Sequence, residues 1–460
     1  MSVYIDDIIG MVVSLRFPCI FPLRQLINNL DTLLCINSRS IYLVNRLRLA
    51  QLYTFSASTL EMAVPLPAAF AQIPRYPLLY PHPSPIHPLT LLSTYLNNSH
   101  NNNTAKTPYI SLYAKREDHS SPLACAGNKY RKLEYIIPDI RASHSAPNEP
   151  PPTLVTEGAI QSNHTVQVAA VAKRLGLEAV VILHKGTGGG LAASTDKVSF
   201  LRTGNPQVVR LLGAEVRMLE SSTVPADGDK DPIPGILEEL RAQGKAPYWI
   251  PSGASLHPLG GLGYARCAFE IAIQEQAQGL DGSGRFDYIF VACGSGSTVG
   301  GLIAGLKLLE KKEGRTWLSK PPRQVIGILT SPTKPQEYHE ERVLTFARRA
   351  AALIGLDAEK DISMDDVRLD DRFAGTAYGV LDAQTSTALD LMAKKEAVML
   401  DPVYTSKVVR GLLHWVQQEE LAKDWSLRLG DRERPDCMNV LFIHTGGQAA
   451  LGAYADMVEL

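Results

Sequence analysis

Five short segments of this chain carry residue types that can do chemistry. The first, Ala126-Gly127-Asn128-Lys129-Tyr130-Arg131-Lys132-Leu133-Glu134, places a lysine just after a glycine. Glycine lets the chain turn tightly against whatever the lysine serves. A lysine amine can condense with an aldehyde and later act as a base. Taken alone, the segment reads more simply as a solvated basic turn. The second segment runs from Cys293 to Gly301 (Cys-Gly-Ser-Gly-Ser-Thr-Val-Gly-Gly) and lies between an apolar stretch and a helical one. N–H groups at a helix N-terminus, joined by the hydroxyls of Ser295, Ser297 and Thr298 around Gly296, suit a phosphate. The dinucleotide pattern fails because Val299 stands at its third glycine, and the Walker pattern lacks its Gly-Lys-Ser/Thr. A hydroxyl-rich loop with no lysine suits a phosphate monoester held permanently. The alternative is a strand-to-helix turn that binds nothing.

The third segment, Gly158-Ala159-Ile160-Gln161-Ser162-Asn163-His164-Thr165, also joins a strand to a helix. Its N–H groups could grip a substrate carboxylate, and Asn163 could bond a phenolic oxygen. Equally, Ser162 or Asn163 could be a plain N-cap. The fourth is Asp401-Pro402-Val403-Tyr404-Thr405-Ser406-Lys407 and the fifth is Phe442-Ile443-His444-Thr445-Gly446-Gly447. Tyr404 could exchange a proton, although such a tyrosine is more often an interface residue. Thr405 and Thr445 could offer neutral hydrogen bonds, and His444 reads as a satisfied core histidine rather than a base.

The elements that position these segments alternate. Strands are expected at Tyr109–Tyr113, Thr153–Thr156, Ala179–His184, Glu215–Leu219, Tyr248–Pro251, Phe286–Cys293 and Gln324–Leu329. Helices are expected at Thr165–Leu175, Gln207–Leu212, Pro234–Gln243 and Val299–Lys312. A Pro-rich lead-in precedes a further helix at Leu89. Asn97–Lys106 and Ser143–Pro152 read as polar loops, and Gly186–Gly190 as a Gly-rich one. Such alternation argues for α/β architecture with parallel sheets flanked by helices.

Bulk properties exclude several classes. The 460 residues are 45% hydrophobic and 20% charged, with a formal net charge of −1, so no global field points to nucleic acid or a membrane surface. The six cysteines include no Cys-x-x-Cys pair, so neither a metal site nor a disulfide framework is indicated. No apolar run approaches the roughly 20 residues that span a bilayer. A cytoplasmic location is expected. Residues 1–61 hold five Arg, no Lys and four acidic residues, more acid than a mitochondrial presequence carries. They are expected to form a non-catalytic N-terminal extension.

Together these blocks resemble the pyridoxal 5′-phosphate (PLP) family that contains D-cysteine desulfhydrase and 1-aminocyclopropane-1-carboxylate (ACC) deaminase. The resemblance runs from about Ile73 to Tyr454. It also takes in Tyr113–Asp118, Pro251–Ser255 and His257–Gly263. It implies a two-domain tryptophan synthase β-like fold with parallel twisted sheets. A large PLP-binding domain would comprise 62–131 and 255–460, and a small α/β domain 132–254. Lys129 matches the lysine that carries the cofactor and moves the substrate's proton. Asn128 and Lys132 match pocket residues, and Ser162 and Asn163 match residues beside the substrate. Ser295, Gly296, Ser297 and Thr298 match the phosphate cup. Tyr378 and Tyr404 match two active-site tyrosines. A homodimer acting on a small amino acid is implied.

Two positions separate the members. ACC deaminases carry Glu after Asp-Pro-Val-Tyr and Leu after the final His; desulfhydrases carry Thr or Ser, and Thr. Thr405 and Thr445 are of the second kind. A carboxylate keeps the cofactor's ring nitrogen protonated and the ring a strong electron sink, whereas a threonine hydroxyl leaves that nitrogen neutral. The expectation is therefore α,β-elimination from D-cysteine, giving pyruvate, ammonia and hydrogen sulfide. ACC deamination to 2-oxobutanoate and ammonia is the alternative.

Overall fold

The computed structural model describes residues 64–100, 108–143, 149–184, 201–219, 231–314, 321–332, 334–429 and 436–457, all within one compact unit, Met62–Leu460. The expected extension at 1–61 and the Gly186–Gly190 loop lie outside the described residues.

In chain order the main elements are β1 (Ile86–Pro88), α1 (Thr90–His100), β2 (Tyr109–Arg116), α2 (Asn128–Ala142), β3 (Pro152–Ala159), α3 (Asn163–Leu175), β4 (Glu178–His184) and α4 (Asn205–Leu211). There follow β5 (Glu215–Leu219), α5 (Ile233–Ala242), β6 (Ala246–Ile250), α6 (Leu262–Gln278), β7 (Tyr288–Cys293), α7 (Ser297–Glu313), β8 (Gln324–Leu329) and α8 (Gln336–Leu353). The chain closes with β9 (Leu369–Asp370), α9 (Ala383–Glu396), α10 (Thr405–Gln417), α11 (Glu420–Leu429) and β10 (Cys437–His444).

The strands make a six-stranded sheet, β1-β2-β10-β7-β8-β9, and a four-stranded one, β5-β4-β3-β6. Every pairing is parallel except β1 with β2. Parallel strands covered by helices on both faces read as continuous apolar runs, because neither face meets water. The central strands obey this: all of Tyr288–Cys293 and all of Cys437–His444 are buried. Leu441, Phe442 and Ile443 are each fully shielded, which stabilises the sheet by about 1.5–3 kcal/mol per side chain. All strands of the smaller sheet fall between Pro152 and Ile250.

Two sequence expectations change. Ile86–Pro88 is a short strand rather than plain lead-in; three residues are too few to show a period. The loop expected from Asn97 begins later, since α1 runs to His100. Asn97 pins that helix to β2: its amide donates to Ile110 O at 2.9 Å, and its Oδ1 accepts from Ile110 N at 2.9 Å.

A buried ionic cluster fixes α2, the helix that carries the lysine motif. Arg131 donates to Glu117 Oε2 at 2.5 Å and Oε1 at 2.9 Å, and to Glu270 Oε1 at 3.0 Å and Oε2 at 2.8 Å. Lys115 lies 3.6 Å from Glu270. A bidentate guanidinium locks angle as well as distance, so α2 is oriented against both β2 and α6. No helix among the described residues is long and apolar enough to cross a membrane.

Candidate active site

The chemistry-bearing segments meet because they follow the carboxyl ends of parallel strands, where ligands of open α/β sheets bind. Ser162 follows β3, Gly253 follows β6, Gly294 follows β7, Thr330 follows β8 and Thr445 follows β10.

Lys129 is the second residue of α2. Part of its surface is open, yet its amine is poorly solvated, and burial pulls its pKa down to about 8. Its backbone N–H and that of Tyr130 both donate to Gln167 Oε1, at 2.9 and 3.0 Å, while Gln167 Nε2 donates to Cys125 O at 3.1 Å. One α3 side chain thus caps α2 and anchors the reactive lysine. Nothing in the sequence marked Gln167, because a polar residue within a helix carries no motif.

Beside Lys129, and hydrogen-bonded to it, stands Lys132, whose pKa burial and the neighbouring amine push well below the ordinary value. Lys132 is completely buried; its ammonium donates to Gly253 O at 3.0 Å and Ser297 Oγ at 2.8 Å. It therefore supports the Gly-rich turn from behind. Asn128 Nδ2 donates to Thr298 Oγ1 at 3.3 Å, and Asn128 N to Thr445 O at 3.2 Å. Gly294 is exposed and Ser295 half-buried, so these two line the open side of the turn. Gly253 (φ +64°) makes the closest approach: a Cβ there would sit 2.1 Å from Ser295 Oγ.

Ser162 precedes α3, but its hydroxyl makes no cap bond. It is hydrogen-bonded to Tyr404 instead, so its side chain is not a helix cap. Asn163 Oδ1 accepts from Asn205 Nδ2 at 2.7 Å. Its own Nδ2 is thereby turned toward Gly447, where a Cβ would approach to 2.5 Å. Tyr404 and Tyr378 share a hydrogen bond of 2.5 Å between their phenolic oxygens. Burial, the first cause for each, holds both phenols above the ordinary tyrosine range.

Thr405 and Thr445 are both buried. The Thr405 hydroxyl donates to Asp401 Oδ1 at 2.7 Å and accepts from Asp401 N at 2.7 Å. Asp401 also accepts from the N–H groups of Val403, Tyr404 and Thr405 at 3.0, 2.8 and 2.8 Å, so it caps α10. His444 is a satisfied core histidine: Nε2 bonds Met399 O at 2.9 Å and Nδ1 accepts from Gly446 N at 3.2 Å.

The arrangement fits PLP on its own chemistry. An amine of lowered pKa stands near a helix N-terminus framed by hydroxyls and close-packed glycines. Thr330 Oγ1 is buried without a hydrogen-bond partner, and a Cβ built at Gly294 would lie 3.5 Å from it. A buried hydroxyl without a partner costs about 1–3 kcal/mol, which a bound polar group would offset.

A parallel sheet and a mostly parallel one, a lysine at a helix start and a Gly/Ser-rich turn at a strand's carboxyl end define a phosphate-cofactor enzyme of the α/β class. The chain belongs to the pyridoxal-phosphate dependent enzyme family, whose profile matches residues 89–446. It is 38% identical over 385 residues to a probable 1-aminocyclopropane-1-carboxylate deaminase of Schizosaccharomyces pombe, covering 84% of this chain and 97% of that one. It is 37% identical over 380 residues to the 1-aminocyclopropane-1-carboxylate deaminase of Methylobacterium nodulans, covering 83% and 96%. A crystal structure described as an ACC deaminase homologue superposes with a TM-score of 0.62 at 28% identity, covering 85% of this chain and 97% of that one.

Proposed function

We propose that this chain deaminates ACC, taking up one water and releasing 2-oxobutanoate and ammonia. The observation that carries this is the likeness, across nearly the whole length, to relatives named for that reaction. It moves the substrate away from the D-cysteine expected from Thr405 and Thr445.

PLP, when bound, would supply an electron sink for negative charge that develops on the amino-bearing carbon. Ser295, Gly296 and Thr298 at the head of α7 would hold its phosphate, and Lys129 its aldehyde carbon. Lys132 and Asn128 brace that wall through Ser297 and Thr298. Lys129, with its amine near 8, is the group suited to take a proton. From ACC, which has no hydrogen on its α-carbon, that proton comes from a ring methylene. From D-cysteine it would come from the α-carbon. Tyr404, kept protonated by burial, would give a proton to the ring carbon freed when ACC opens, or to the sulfur that leaves D-cysteine. Tyr378 and Ser162 hold it in place.

The geometry of Thr405 removes one objection to ACC. A hydroxyl has a single proton, and Thr405 gives its proton to Asp401. Toward any further partner it can only accept, which suits a protonated ring nitrogen, with the Asp401 carboxylate one bond behind. D-Cysteine β-elimination is the second reading, favoured by the residue types at 405 and 445. PLP-loaded protein given ACC, D-cysteine and L-cysteine in parallel separates them. 2-Oxobutanoate from ACC supports the proposal. Pyruvate and sulfide from D-cysteine alone transfers it to the second reading, and no 2-oxo acid from any of the three defeats both.

A further inference from the structure

Lys407 lies in the first turn of α10, three residues after Tyr404, and has no exposed surface. Its ammonium donates to two backbone carbonyls on separate segments: Thr330 O at 3.0 Å, just past β8, and Ala374 O at 2.5 Å. Among the described residues it makes no ion pair, whereas Arg410 on the next turn pairs with Asp382 at 2.7 Å. Gly375 (φ +77°) packs on the ammonium; a Cβ there would stand 3.4 Å from Nζ.

Burying a cation against carbonyls, with the Asp382 and Asp401 carboxylates acting only from beyond ion-pair distance, is costly, and burial draws this amine down to about 8. An apolar side chain would pack α10 more cheaply. What an apolar side chain cannot do is grip two carbonyls at once. One gripped segment leads directly to the tyrosine pair, and the other, at Thr330, is anchored at the end of β8. Ala374 lies four residues before Tyr378, in a stretch that forms neither strand nor α-helix between Asp370 and Ala383. Such backbone cannot place a side chain by itself. Its far end is tied by Tyr454, whose phenol donates to Gly379 O at 2.7 Å. Lys407 ties its near end.

We propose that Lys407 is a positioning residue that fixes Tyr378 against Tyr404 by joining Ala374 to Thr330. The proposal rests on the tyrosine pair serving the ammonia-releasing reaction argued above. Lys407 touches neither phenol in this arrangement; it acts through the backbone that carries one of them.

The test compares PLP-loaded full-length wild type, Lys407→Met, Tyr404→Phe and Tyr378→Phe on whichever substrate the wild type turns over. Lys407→Met is expected to hold PLP at wild-type affinity and to lose kcat by about ten- to a hundredfold, with KM changed less than about twofold. Amide hydrogen exchange at 374–379 should quicken in this variant, while exchange in β7 and β10 stays unchanged. If Lys407→Met melts below the assay temperature, Lys407→Gln, which keeps one donor, replaces it under the same criteria. Wild-type kcat together with unchanged exchange at 374–379 in the lysine variant overturns the proposal. Wild-type turnover by both tyrosine variants overturns the reading of the tyrosine pair instead, so the two failures are distinct.

Discussion

Replacing Gln167 with Met should weaken both the fold and the reaction. Methionine keeps the length and volume of the side chain but can neither accept from Lys129 N and Tyr130 N nor donate to Cys125 O. Lys129 is partly open, so its N–H can find water. Tyr130 N is buried and would keep only a long contact, 3.4 Å, to Gly127 O. One stranded buried donor costs about 1–3 kcal/mol, and the lost bonds to Lys129 N and Cys125 O add about 0.5–1.5 kcal/mol each. The expected loss is therefore roughly 2–6 kcal/mol in urea unfolding followed by tryptophan fluorescence. Because α2 then starts without its clamp, Lys129 shifts, and kcat should fall about ten- to a hundredfold, as small misplacements of a reacting group do. A Gln167→Met protein within about 0.5 kcal/mol of wild type, with unchanged kcat, would refute the claim that this one side chain holds the lysine.

Gly253→Ala should weaken PLP binding, because its Cβ would meet Ser295 Oγ at 2.1 Å and its φ of +64° strains any L side chain. Strain of about 1–3 kcal/mol predicts a rise of roughly five- to 150-fold in Kd, read by fluorescence titration. Glu270→Gln should destabilise by about 3–5 kcal/mol, since it unbalances the buried Arg131 cluster; thermal melting checks this. The pH dependence of PLP capture by the apo protein follows from Lys129, whose amine must be neutral to condense. With its pKa lowered from 10.5 to about 8, the capture rate should rise about tenfold per pH unit below 8 and then level off. A rate still climbing toward pH 10 would mean that Lys129 is an ordinary exposed lysine. Stopped-flow absorbance reads it.

Much of this architecture was legible because parallel strands advertise themselves. The run Tyr288–Cys293 is apolar or aromatic at every position and is followed by a glycine- and serine-rich turn and a helix. The same logic exposed the loops at 162, 294 and 445, since the carboxyl ends of those strands must gather on one side. Three kinds of information were not legible. Gln167 and Lys407 act through backbone contacts, and Asn205 through its bond to Asn163, that no local pattern encodes. The Tyr113–Asp118 block was visible, but its purpose depends on Arg131 and Glu270, which meet it only in the folded chain. Residue type alone lets Thr405 offer a neutral hydrogen bond, whereas the Asp401 cap four residues earlier takes its proton; capping geometry decides what that hydroxyl can offer.

The central claim is that Lys129 of a PLP-loaded chain drives release of ammonia from a small amino acid. The most direct test measures 2-oxo acid and ammonia together, with ACC and D-cysteine as substrates, for wild type and Lys129→Ala. Equimolar 2-oxo acid and ammonia from the wild type, with none from Lys129→Ala, is the predicted result. Equal turnover by Lys129→Ala, or no turnover by fully loaded wild type on either substrate, would contradict the account.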